Sequence, residues 1–186
     1  MVIGEVRHYV QKKYDTDEYN WYHIQYVTKT ALELGRKLNA DLEIIEIAAL
    51  LHDVDYSRGK EFHAQDSAKF AEHFLAENGY PSGKIEKVKV AILCHSSKGM
   101  KIVEEPSMEG KIISDADKMW TMTPMGFARM IAHRYKNNTS YSYILEKLNK
   151  AINTFDKLYF DVSREIVNAD RKVCIKFLNK FNIHYF

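Results

Sequence analysis

From Asp41 to Asp53 the chain carries Ile44, Ile45, Ile47, Ala48, Ala49, Leu50 and Leu51, which fall on nearly every face of the helix predicted there. A helix that is apolar all round has no side to give to water, so it belongs in the middle of a helical bundle. Asp41 suits its N-cap. The segment closes on two ionisable residues, His52 and Asp53.

The rest of the chain supplies the neighbours such a helix needs. Between Asn20 and Leu38, Trp21, Ile24, Val27, Ala31, Leu34 and Leu38 recur at three- and four-residue steps. Asn20 is a candidate cap for this helix and Asn39 a candidate stop. A helix is expected over Ala64–Asn78, stopped by Asn78-Gly79 with Pro81 beyond, and another over Ser82–His95. Ser107 caps a segment running through Lys111 to Met119, and Pro124 opens a helix to about Tyr135. Ser140 to Phe181 reads as one or two more helices, rich in aromatics such as Tyr141, Tyr143, Phe155 and Phe177. With only three prolines and eight glycines, the chain lacks the turn residues of a many-stranded sandwich or barrel. The expectation is an all-α bundle of roughly seven to nine helices. It forms a single domain over 1–186, with the site-bearing core at about 20–130 and C-terminal helices at about 140–181.

Several classes of function drop out. Net charge is +2 with lysines spread along the chain, so there is no basic stripe for dedicated nucleic-acid binding. Cys94 and Cys174 are too few and too far apart for a disulfide framework or a zinc finger, which fits a reducing, cytoplasmic interior. Met1 to Tyr14 mixes charges with apolar residues, unlike a signal peptide. No apolar run approaches the roughly 20 residues of a membrane span. Phosphate-binding glycine loops and serine-nucleophile elbows are also missing from the sequence.

The informative residues are polar ones inside apolar surroundings, which are costly unless paired or bound to a metal. His52 and Asp53 point about 100° apart on one helix end and can both reach an ion lying near it. Taken alone, the pair is equally a helix C-terminus with a histidine favoured by the dipole. His23 lies one helix earlier, and Asp115 interrupts the apolar run Ile112-Ile113 with Asp117 as its rival. Mixed imidazole and carboxylate ligands suit Mn, Fe, Zn or Ni.

His23, then His52-Asp53 on a helix end, then a distant Asp115, resembles the signature of HD-domain phosphohydrolases. The likeness is carried also by Ala48-Ala49-Leu50-Leu51-His52-Asp53, His63-Ala64-Gln65-Asp66-Ser67-Ala68, Ala91-Ile92-Leu93-Cys94-His95-Ser96 and Lys111 to Lys118, and it covers roughly Trp21 to Met130. After Asp115-Ala116-Asp117 the chain departs from its relatives, reading Met119-Trp120-Thr121-Met122-Thr123-Pro124. The resemblance implies a divalent metal (Mn, Mg, Fe, Co, Ni or Zn) held by His23, His52, Asp53 and Asp115. It also implies hydrolysis of a nucleotide or other small phosphorylated metabolite. A bound cation acidifies water and draws charge from a phosphoryl oxygen. Asp53 then orients the attacking water, and His63 and His95 either complete a second metal site bridged by Asp53 or face the phosphate. Lys118 and Arg129 are candidate cations for the phosphate, with a solvated face as the bland reading. Imidazole ligands must be neutral, so activity is expected to fall below about pH 6 to 6.5. Two other readings stay open: a two-iron oxygenase using His23, His52, Asp53, His63, His95 and Asp115, and a non-catalytic module binding a nucleotide or partner. A homodimer is compatible with the aromatic C-terminal helices.

Overall fold

A computed structural model of the chain describes residues 2–137 and 139–185, the side chains of 181–185 excepted. Its helices are α1 (Val2–Lys13), α2 (Glu18–Lys37), α3 (Leu42–Leu51), α4 (His63–Glu77), α5 (Ser82–Cys94), α6 (Met108–Trp120), α7 (Pro124–Lys136), α8 (Tyr141–Ile152) and α9 (Asp161–Tyr185). Short 3₁₀ turns occupy Gly99–Ile102 and Asn153–Lys157, and there is no strand among the described residues. The fold is all-α, as expected.

Local chemistry sets the boundaries. Asp41 caps α3, its Oδ1 accepting from the Glu43 and Ile44 amides at 3.1 and 3.3 Å. Asn39 takes the left-handed conformation that ends α2, with φ of 53°. The cap of α2 is Asp17 rather than Asn20: its Oδ1 accepts from the Asn20 amide at 3.1 Å. Thr123 caps α7 through the Gly126 amide, with Pro124 in the first turn. Helix α1 is an addition to the expected elements; Val6 and Val10, four residues apart, are fully buried along one face.

The described chain groups into two compact units, residues 1–116 and 117–186. In the first, α3 is the central helix the sequence requires: Ile44, Ile45, Ile47, Ala48, Ala49 and Leu51 are all fully buried. Two glycines set how closely its neighbours approach. A Cβ on Gly35 of α2 would fall 2.5 Å from Cδ1 of Ile45, and one on Gly110 of α6 would fall 2.5 Å from Cβ of Cys94. The first contact draws α2 onto α3, and the second draws α6 onto the end of α5. These are the helices that carry, or end at, His23, His52, Asp115 and His95. In the second unit, Phe127, Leu145, Leu148, Ile152, Cys174 and Leu178 form a separate core.

Candidate metal centre

Three histidines stand at helix ends, two of them at C-termini, where the backbone leaves carbonyls without an intrahelical partner. His52 follows α3, His95 follows α5, and His63 opens α4. Each uses the same local bond. Nδ1–H of His52 donates to the Ala49 carbonyl at 2.7 Å, that of His63 to Lys60 at 2.6 Å, and that of His95 to Ile92 at 2.6 Å. A carbonyl oxygen only accepts, so the hydrogen sits on Nδ1 in all three rings. In the neutral imidazole, Nε2 is then a bare lone pair.

Those lone pairs converge. His63 Nε2 lies 2.9 Å from His95 Nε2, and His52 Nε2 lies 3.2 Å from Nε2 of His23, which comes from α2. Between the two pairs stands the Asp53 carboxylate. Its Oδ2 is 3.4 Å from His23 and 3.6 Å from His52, while Oδ1 is 3.4 Å from His95 and 3.6 Å from His63. Two triads within ligand reach result, His23–His52–Asp53 and Asp53–His63–His95, sharing the carboxylate. Burial raises the Asp53 carboxyl, but where protons rather than a cation occupy the facing Nε2 positions, the charge of His52 and hydrogen bonds from His23 and His95 outweigh it and hold the group well below its ordinary 3.8.

The donor set fits a divalent cation. Nitrogen lone pairs at 2.9 and 3.2 Å repel unless a proton or a metal ion lies between them, and imidazole with carboxylate is the chemistry of borderline divalent metals. The tie from each Nδ1–H to a carbonyl is the support that orients a ligating histidine.

The surroundings hold this arrangement in place. Between α3 and α4, the Asp55 amide donates to Ser67 Oγ at 3.1 Å, and Arg58 pairs with Asp66. Lys98 pairs with Glu61 at 2.5 Å, which links the segment before His63 to the segment after His95. Tyr56 stacks on His63 with ring centres 5.0 Å apart. Tyr14 O–H donates to the Asp53 backbone carbonyl at 3.0 Å. A cleft of about 340 Å³ opens beside His23 and Asp53, with Lys13, Tyr14, Asn20 and Tyr56 among its walls.

The structure thus brings His23, His52, Asp53, His63 and His95 together. Asp115 is fully buried on α6 in the same unit. Lys118 and Arg129 belong to the second unit, where the Lys118 ammonium lies 5.3 Å above the Tyr159 ring. Sequence reasoning missed Lys13, Tyr14 and Tyr56. The four-residue step Val6, Val10, Tyr14 was the available signal for the second of these, since it extends the buried face of α1. No described helix is long and apolar enough to cross a membrane.

Comparison with known proteins bears on the family and the fold. Residues 20–122, just over half the chain, match the HD domain. The uncharacterized protein YpgQ of Bacillus subtilis is 27% identical over 179 residues, covering 89% of this chain and 85% of its own. A crystal structure of that protein in complex with ADP superposes with a TM-score of 0.76 at 24% identity, over 97% of this chain and 93% of that one. An HD-superfamily hydrolase from Bacillus thuringiensis gives 0.73 at 23% identity, over 96% and 94%.

Proposed function

The chain belongs to the HD domain family, and from that premise we propose that it is a metal-dependent phosphohydrolase acting on a nucleotide or another small phosphorylated metabolite. The observation that carries the reading is the convergence of four imidazole Nε2 atoms on one carboxylate, each within 3.6 Å of an Asp53 oxygen. The B. subtilis relative seen in complex with ADP supports a nucleotide as the substrate class.

Hydrolysis adds water across a P–O bond: the water oxygen bonds to phosphorus, and the leaving oxygen departs with the bonding pair and takes up a proton. Such transfers need positioning and charge neutralisation more than covalent chemistry from the protein. When bound, a divalent cation supplies Lewis acidity toward water and phosphoryl oxygen. His23, His52, Asp53 and Asp115 would hold it. Asp53, facing both histidine pairs, accepts a hydrogen bond from the attacking water and fixes its approach. His63 and His95 face the phosphate or complete a second ligand set. The cleft beside His23 and Asp53 admits the substrate, and Tyr14 holds the Asp53 backbone still while it does so.

The test is elemental analysis of the purified protein followed by a screen of nucleoside mono-, di- and triphosphates and phosphodiesters with Mn, Mg, Co and Ni. Metal-dependent release of phosphate or pyrophosphate is expected, abolished in D53A while helical circular dichroism is retained. No turnover with any metal sinks the reading. Bound iron with oxygen-dependent turnover replaces it with the oxygenase.

A further inference from the structure

We infer that Lys13 is a substrate-binding residue, supplying positive charge to a phosphate of the substrate in the cleft beside the metal centre; this rests on the phosphohydrolase reading above. The cleft's charged walls are unequal. Asp53 faces the four imidazoles. Asp17 is spent on its own helix: Oδ1 accepts the Asn20 amide at 3.1 Å and Oδ2 accepts the Asn20 side-chain N–H at 2.7 Å. Lys13 is the one lysine or arginine lining the cleft among the described residues, and it forms no ion pair there. An anionic substrate entering a site that already contains Asp53 and Asp17 needs a cation opposite them, and Lys13 is the side chain in place to meet it.

Its position is tied to the centre itself. The next residue, Tyr14, is buried and donates its hydroxyl to the Asp53 backbone carbonyl at 3.0 Å. Val6 and Val10, fully buried, fix the rest of α1. The end of α1 is therefore registered against the residue on which both triads depend, and Lys13 is carried to the cleft wall by that bond. The competing explanation is that Lys13 merely complements the negative end of the α1 dipole. Lys12 occupies the same last turn and is not a cleft residue, so it performs that task without touching the site.

The pair gives the experiment its control. ADP binding to wild type, K13Q, K13R and K12Q is measured by calorimetry, with and without Mn, alongside steady-state kinetics on whichever phosphate ester is turned over. Loss of a charge-assisted contact is expected to weaken ADP binding about tenfold or more in K13Q. KM rises to match with kcat little changed, K13R recovers most of the loss, and K12Q behaves as wild type. The salt dependence of binding flattens in K13Q, since one screened attraction is gone. Equal affinity in K13Q and wild type overturns the inference. So does equal weakening in K12Q, failure of K13R to recover, or a wild type that binds neither ADP nor inorganic phosphate. If ADP binding depends on Lys13 but no phosphate ester is turned over, Lys13 stands and the hydrolase reading falls.

Discussion

Gly35 offers a sharp test of how the candidate metal centre is assembled. A methyl group there would sit 2.5 Å from Cδ1 of Ile45, about 0.9 Å short of ordinary van der Waals contact at 3.4 Å, and 2.9 Å from Cδ2 of Leu42. Leu42 is partly exposed and can swing aside, but Ile45 is fully buried and cannot. Overpacking of this kind costs about 1–3 kcal/mol, while replacing a mid-helix Gly with Ala returns about 1 kcal/mol of helix propensity. G35A should therefore destabilise the wild type by about 1 kcal/mol. I45V removes the offending Cδ1 and by itself costs about 1 kcal/mol. In that background the clash is gone, so adding G35A should stabilise by up to about 1 kcal/mol. The assay is urea unfolding of the four proteins at matched metal and salt, with the coupling read from the double-mutant cycle. Because α2 carries His23 and α3 leads into His52, metal affinity should also fall in G35A and return in the double variant. If G35A changes stability by the same amount and sign in both backgrounds, close packing of α2 on α3 is not what sets their spacing.

Other expectations are simpler to check. Mn at about a hundredfold excess over its Kd should add about 2.7 kcal/mol of stability. That is several degrees of Tm for a chain of 186 residues, and D53A should lose it; an equal shift in D53A would show that the metal binds elsewhere. Burial raises the Cys174 thiol to about 11, so it stays protonated at pH 8. Native-state alkylation should there run about a hundredfold slower than at a thiol with the ordinary value of 9.0 and climb about tenfold per pH unit; modification at normal speed would place the thiol in water. K118Q and R129Q should each raise KM about tenfold if these cations meet the phosphate, and unchanged KM removes them from the binding site.

Much of the first unit was legible because its signals were local or periodic. The apolar helix at 42–51 and its Asp41 cap depend on residues close together in the chain. His52 and Asp53 were visible because ionisable groups at the end of an apolar helix demand an explanation, while His63 and His95 entered only through the family resemblance. Their pairing was not visible: nothing in the spacing of positions 63 and 95 says that their Nε2 atoms lie 2.9 Å apart. Helix α1 escaped notice because its buried face is marked by the short step Val6, Val10 and Tyr14 alone, a weak periodic signal amid Glu5, Arg7, Lys12 and Lys13. Lys13 followed α1 into obscurity, since a lysine at a helix end reads as an ordinary surface charge until the cleft beside it is seen.

The three bonds from ring nitrogen to upstream carbonyl have a consequence for how the chain tolerates change. Each imidazole is anchored to the backbone carbonyl three residues earlier. The direction of chelation is thus written into three short stretches, 49–52, 60–63 and 92–95. A single inserted or deleted residue within any of these stretches swings a ring out of line, however well the remaining helices pack.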